Sequence, residues 1–184
     1  METIEYKIEF FSNWHCGSGL AAGADVDTLV VKDKDGLPYV PGRTIKGLLR
    51  DALIVVSSNI SALDNVFGIS GDKAGHKTGR AYFTNATLPD SESKYIVSQD
   101  LTSHLYQSFS STAIEEDGIA KDHSLRKTET VVPCTVYGQI YHVPEEYIED
   151  VEKAMKFIKR MGTGRNRGFG RCCISIEERK EEKS

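Results

Sequence analysis

Cysteine is scarce in this 184-residue chain, and none of it is spaced for a metal. The four residues are Cys16, Cys134, Cys172 and Cys173, with no C-x-x-C pair and no histidine placed to complete a zinc site. That excludes the common zinc modules, and a disulfide scaffold does not suit this length and cysteine density. The expected use is as small buried hydrophobes in a reducing cytoplasm, which implies a cytoplasmic protein. Long apolar runs are missing too. Nothing approaches the ~18 residues of a membrane helix, so no membrane partner is expected. Residues 1–11 alternate charged and apolar side chains, unlike a signal peptide. An excess of positive charge is the third absence. Lys and Arg number 23 against 27 Asp and Glu, a net charge of −4, which taken alone argues against a free-standing nucleic-acid-binding domain. Repeats at 20–50-residue spacing are absent as well.

What is present is an ordinary globular composition, 39% hydrophobic and 27% charged. The length suits one domain burying roughly two thirds of its unfolded surface. Ile4, Tyr6, Ile8 and Phe10 recur with period two and predict a half-buried strand over 3–12. A glycine-spaced loop, Trp14-His15-Cys16-Gly17-Ser18-Gly19, follows. Residues 28–32 read as a short strand, Lys34-Asp35-Gly36 as a tight turn, and Leu37 to Gly42 as an extended edge. A helix is expected over about 43–57, burying Ile45, Leu48, Leu49, Ala52 and Leu53. Residues 58–79 contain Gly68, Gly71, Gly75 and Gly79 and read as a mobile loop. A strand over 80–88 opposes Ala81, Phe83, Asn85 and Thr87 to Tyr82, Thr84, Ala86 and Leu88. Residues 89–130 are polar and suggest a hairpin or lid projecting from the core. A strand over 134–143 leads to a helix from Pro144 to Gly162 that buries Ile148, Val151, Met155 and Ile158. Its acids lie first and its bases last, as the macrodipole favours. A last strand, 172–176, precedes a charged, frayed tail. The order β–α–β, long excursion, β–α–β predicts an α+β, ferredoxin-like (RRM-type) fold with an enlarged central connection.

Charge is unevenly spread. Residues 156–171 carry six Lys/Arg and no acid, while 145–152 carry five acids and no Lys/Arg. Within the first stretch, Gly162-Thr163-Gly164-Arg165-Asn166-Arg167-Gly168-Phe169-Gly170-Arg171 combines four glycines with three arginines. Glycine lets backbone approach a phosphate, loop amides can cradle it, and guanidinium adds a fork of donors. The expected position at a helix C-terminus opposes an anion, and the segment lacks the G-K-[ST] of a Walker loop. The alternative is a flexible connection with solvated arginines. Arg43, Lys46 and Arg50 share a helical stripe that either pairs with carboxylates or extends the arginine loop into one basic track. Lys73, His76, Lys77 and Arg80 form a third basic cluster. A mildly acidic chain can still contact a phosphate backbone locally through such a concentrated track.

Three segments together resemble one family. The first is Trp14 to Gly19 followed by Asp25-Val26-Asp27-Thr28-Leu29-Val30-Val31-Lys32-Asp33 and Gly36-Leu37-Pro38-Tyr39-Val40-Pro41-Gly42-Arg43-Thr44-Ile45-Lys46-Gly47-Leu48-Leu49-Arg50. The second is the glycine-arginine loop before the last strand. The third is Ile119-Ala120-Lys121-Asp122-His123-Ser124-Leu125-Arg126-Lys127-Thr128-Glu129. The compound pattern is similar to the RAMP superfamily of CRISPR-associated RNA-binding proteins, and within it to the repeated backbone subunits of type III effector complexes. Arg43-Thr44 stands where many of those subunits have two serines.

The resemblance implies a palm built from about 1–57, 80–88 and 131–178, a loop over 58–79, a thumb over 89–130 and a tail from 179 to 184. The implied partners are a CRISPR guide RNA, a complementary target RNA, other effector subunits and copies of the chain stacked head to tail. Asp27 matches the family's catalytic aspartate and is the implied ligand of Mg²⁺ or Mn²⁺. Asp25, one strand period away, is the second candidate acid. RNA contacts are implied at Arg43, Lys46, Arg50, His123, Arg126, Gly162, Gly164, Arg165, Arg167, Gly168 and Arg171. Two alternatives stay open: a non-cleaving guide-binding subunit with the same surface, and a guide-processing endoribonuclease using His15 or another histidine as acid–base. Trp14 is expected to anchor the core. Tyr82 and Phe83 face opposite ways, so at most one of them can stack on a base.

Overall fold

The computed structural model describes residues 1–19, 27–57, 59–69, 77–115, 118–119, 121 and 124–181. Its elements are β1 (Glu2–Phe10), α1 (Gly42–Val56), α2 (Ile60–Ala62), β2 (Gly68–Ile69), β3 (Lys77–Thr78), β4 (Tyr82–Phe83), α3 (Asp90–Ser98), β5 (Tyr106–Ser111), β6 (Arg126–Val131), β7 (Thr135–Val143), α4 (Ile148–Phe157) and β8 (Cys172–Glu181). The architecture is mixed α/β with antiparallel sheets. The main sheet has the order β4-β7-β1-β8, and β2-β3 and β5-β6 form separate two-stranded ribbons. None of the described helices is long and apolar enough to cross a membrane.

The period-two pattern of β1 drives Ile4, Tyr6, Ile8 and Phe10 into one core. The α1 stripe (Ile45, Leu49, Ala52, Leu53) and the α4 stripe (Ile148, Val151, Ala154, Met155) join them, and the two helices pack together. Each fully buried Ile or Leu contributes about 1.5–3 kcal/mol relative to exposure. By strand alternation Glu5, Lys7 and Gln139 lie on the other face of the sheet. Ion pairs Lys7–Glu177 (2.9 Å) and Lys180–Glu5 (2.8 Å) populate it.

The start of α1 is set from a distance. Pro41 offers no side-chain cap, and the Gly42 N–H instead donates to Asn85 Oδ1 at 3.0 Å. Val40 and Ala86 exchange two backbone bonds of 2.9 Å just before it. A Cβ on Gly42 would enter the carbonyl oxygens of Phe83 and Thr84, both fixed backbone. Gly42→Ala is therefore expected to cost about 1–3 kcal/mol, read as a lower denaturation midpoint. An unchanged midpoint would show that this edge is free to move.

Several expected boundaries change. Residues 28–32 are not a strand. Thr28, Val30 and Lys32 each bridge a different partner (Thr128, Gly17 and Pro38), so no ladder forms. The strand over 80–88 shrinks to Tyr82–Phe83, because the inward face switches from Ala81 and Phe83 to Ala86 and Leu88 around Asn85, which is turned to cap α1. Residues 60–69, read as loop, contain α2, a π-turn and β2, and bury Ala62, Val66 and Phe67. Phe67 stacks on Phe83 with centroids 5.6 Å apart. α3 was not expected. It buries no side chain, so no apolar stripe marks it. The second helix stops at Phe157 rather than Gly162, since Ile158 is already extended. The expected frayed tail is β8 as far as Glu181, held by Lys180–Glu5 and Arg179–Glu152 (2.6 Å). Lys180 and Gln139 donate to the Glu5 carboxylate and hold it below the usual carboxylate range.

Cys172 is buried and Cys173 exposed, opposite faces of β8 as adjacency requires. Burial pushes the thiols of Cys16 and Cys172 up to about 12, which keeps them protonated and inert.

Candidate nucleic-acid interface

The glycine-arginine stretch is a closed loop, not the end of a helix. Met161 N–H donates to Gly170 O (2.9 Å), Cys172 N–H to Lys159 O (3.0 Å), and Arg160 bridges Arg171. No helix terminus stands behind the loop, so the expected opposition of the macrodipole to an anion falls away. Gly170 has φ +66°, and a Cβ there would enter the Met161 carbonyl. Gly162 (φ +84°) rests on the His15 carbonyl in the same way. The tight closure needs glycine at both positions. Arg165–Arg167 form a single 3₁₀ turn, and Arg160 Nη1 donates to the Arg165 carbonyl at 2.5 Å. An open cleft of about 790 Å³ is lined by Arg160, Gly162, Gly164, Arg165 and Arg167.

β5 and β6 pair without a break from Tyr106↔Val131 to Ser111↔Arg126. This is the hairpin expected between 89 and 130. Phe109 on β5 meets Phe169 of the arginine loop edge-on, centroids 5.0 Å apart, so hairpin and loop touch. A second cleft of about 690 Å³ runs along the hairpin and is lined by Thr112, Lys121, Ser124, Arg126 and Arg167. Arg167 lines both clefts. Arg160, Arg165, Arg167, Lys121 and Arg126 are all exposed along them. Two clefts sharing a guanidinium and walled by cations offer the charge and the forked donors that phosphate groups accept.

Asp27 lies on the flank of the same hairpin. Its N–H donates to Lys127 O (2.9 Å), and its Oδ2 accepts from Lys127 N–H (2.7 Å). The residue is exposed, and Oδ1 has no hydrogen bond among the described residues. A carboxylate held by one oxygen with the other open can accept a proton or meet a cation. The following residues are strapped to the hairpin. Glu129 N–H donates to Thr28 O (3.1 Å). The Glu129 carboxylate accepts from Val30 N–H (3.0 Å) and from Lys32 Nζ (2.8 Å). Lys32 Nζ also sits 3.8 Å above the Tyr106 ring, and Tyr106 Oη donates to Gly36 O at 2.5 Å.

The other sequence candidates fall in different places. Arg43, exposed, and Lys46 and Arg50, part-exposed, follow Gly42 along α1, beside β4. The arginine loop enters β8, at the other edge of the sheet from β4. Arg171 is exposed at the loop's closing bridge, and Gly168 (φ +90°) ends the 3₁₀ turn. Asp25, His123, Lys73 and His76 lie outside the described residues. Trp14 is fully buried and stacked on Phe10 at 4.5 Å, the expected anchor. Phe83 is buried while Tyr82 is 64% exposed beside Tyr141. His15 is only 2% exposed, and its Nδ1–H donates to Glu129 O at 2.6 Å, while its own carbonyl accepts from Thr163 N–H (2.9 Å). It is an internal joint between loop and hairpin, which removes it from the surface where a leaving oxygen would sit. Glu129, Lys32, Tyr106 and Phe109 carried no assigned role in the sequence. Their partners lie about a hundred or tens of residues away, and no local spacing announces them.

Comparison with known proteins follows the same lines. The chain is similar in fold to a subunit in the cryo-EM structure of the Type III-B Cmr-beta complex bound to cognate target RNA, with a TM-score of 0.74, 10% identity, and coverage of 95% of this chain and 96% of that one. The apo-state Cmr-beta structure gives a TM-score of 0.74 at 10% identity over 96% and 97% of the two chains. No curated protein sequence matches at a significant level. The RAMP superfamily model matches residues 7–173, taking in the end of β1, the Asp27 strap, the hairpin and the arginine loop. On that span, the chain belongs to the RAMP superfamily.

Proposed function

We propose that this chain is a guide-RNA-binding backbone subunit of a type III CRISPR effector complex and that it cleaves complementary target RNA at Asp27. In this reading the four-stranded sheet with α1 and α4 is a ferredoxin-like palm, and the β5–β6 hairpin is the thumb. The carrying observation is the docking of the exposed Asp27 on the hairpin whose clefts share Arg167 with the arginine loop. One surface then holds phosphates while a carboxylate stands beside the strand that crosses them. Membership of the superfamily and the Cmr-beta fold, whose bound form carries target RNA, support it.

A divalent ion fits this site only in part. Among the described residues no cluster of three or more acidic, histidine or cysteine groups is able to hold one. Asp27 would offer Mg²⁺ or Mn²⁺ one carboxylate oxygen, so most of the ion's ligands would have to come from water and RNA. Such an ion would neutralise charge on the scissile phosphate. The chain's own contribution is to hold Asp27 Oδ2 on Lys127, leaving Oδ1 to orient a 2′-hydroxyl or accept its proton. The buried His15 gives no support to guide processing by that residue.

The test is isolation of the native particle. Expected is a multi-subunit complex that contains this chain and a short guide RNA. It should cut matched RNA at regular intervals when Mg²⁺ or Mn²⁺ is added. A monomer free of RNA, or a particle that binds matched RNA without cutting it, contradicts the corresponding half of the proposal.

A further inference from the structure

We propose that Glu129 is the positioning residue for Asp27, an inference that rests on Asp27 being the cleaving carboxylate. Asp27 sits at the head of a strap, and the strap has little structure of its own. Thr28, Val30 and Lys32 bridge three different segments, and on one side the strap is tied to 16–18 by Ser18 N–H to Leu29 O (3.0 Å) and Val31 N–H to Cys16 O (2.8 Å). On the side of the hairpin that carries Asp27, Glu129 makes the connection. Its carboxylate takes the Val30 N–H with one oxygen and the Lys32 ammonium with the other. Its N–H takes the Thr28 carbonyl, one residue beyond Asp27. Its own carbonyl is pinned from behind by His15 Nδ1–H. One residue of β6 thus meets the strap at 28, 30 and 32 and is itself anchored in the interior. Val30 is buried, so its N–H has no water to fall back on. The Lys32 ammonium, held between Glu129 and the Tyr106 ring, fixes the far end.

Asp27 makes its own two bonds, both to Lys127. Those close its register on β6, and Glu129 holds the residues that follow it against the same hairpin. Misplacing a reacting group by about 1 Å can cost 10²-fold in rate. Loss of the Glu129 carboxylate should therefore lower the rate of cutting without weakening the grip on RNA, which belongs to the arginines.

The experiment uses the assembled, guide-loaded complex and matched target RNA. Glu129→Gln, Glu129→Ala and Asp27→Asn are compared by single-turnover cutting rate at saturating target, by target Kd, and by amide exchange over 27–32. Expected for Glu129→Ala is a 10- to 100-fold slower cut, a Kd within about twofold of the parent, and faster exchange confined to the strap. Glu129→Gln, which keeps one acceptor, should fall between. Cutting at the parent rate by both Glu129 variants, with Asp27→Asn inactive, overturns the positioning role and leaves Asp27 standing. A matching loss of rate and affinity overturns it too, because that is collapse of the hairpin. An active Asp27→Asn overturns both readings at once.

Discussion

Asp27→Asn is expected to slow target cleavage at least about a hundredfold while target affinity stays within about twofold. Asparagine is nearly the same shape, and its amide oxygen can still accept from Lys127 N–H, so the strap keeps its place. What disappears is the negative charge and the proton-accepting oxygen. Positioned acid–base groups typically contribute 10²–10⁴ in rate. The measurement is single-turnover cutting of a labelled target by the guide-loaded complex, with filter binding alongside. Chelating divalent ions should abolish cutting in the parent, and Mg²⁺ or Mn²⁺ should restore it. Regular cuts persisting in Asp27→Asn would move the chemistry to another residue and leave the chain a binding subunit.

Replacing Arg165 and Arg167 together by alanine is expected to weaken RNA binding by roughly tenfold or more for each side chain. Both side chains are exposed on one short turn, and Arg167 lines both clefts. Little packing is lost, so the fold should persist. The salt dependence is the sharper readout. Each lost phosphate contact lowers the slope of log K against log salt by about 0.7 for a single strand, so the double variant should lose roughly 1.4. Arg179→Ala is the control: that guanidinium is paired with Glu152, and its loss should leave both values alone. An unchanged slope in the double variant would remove the loop from the interface.

The framework was legible where it is local. The period of Ile4, Tyr6, Ile8 and Phe10, and the stripe of α1, are short-range patterns, and they place two elements within a residue or two; the stripe of α4 places that helix, but it begins at Ile148 after a 3₁₀ turn over Glu145–Tyr147, not at Pro144, and ends at Phe157. The charge contrast between 145–152 and 156–171 survived as well. The arginine loop was visible as composition but not as a closed loop, because its closure runs through backbone bonds between 159–161 and 170–172. The strap beyond Asp27 reads as a strand because Leu29, Val30 and Val31 have strand propensity, but their pairing stops at the short segment 16–18, and Thr28 and Lys32 on either side turn to other partners. Glu129 was invisible as a holder of that strap. A glutamate in a polar hairpin looks solvated until the fold brings Val30 and Lys32 against it.

The most direct test of the RNA surface is ultraviolet crosslinking of the guide-loaded complex, with the crosslinked peptides mapped by mass spectrometry. Expected are crosslinks at 160–171 and 111–126, with Phe109 and Phe169 among the reactive aromatics. Crosslinks confined to the outer sheet face at Tyr82, Tyr137 and Tyr141, with none in the arginine loop or the hairpin, would contradict it.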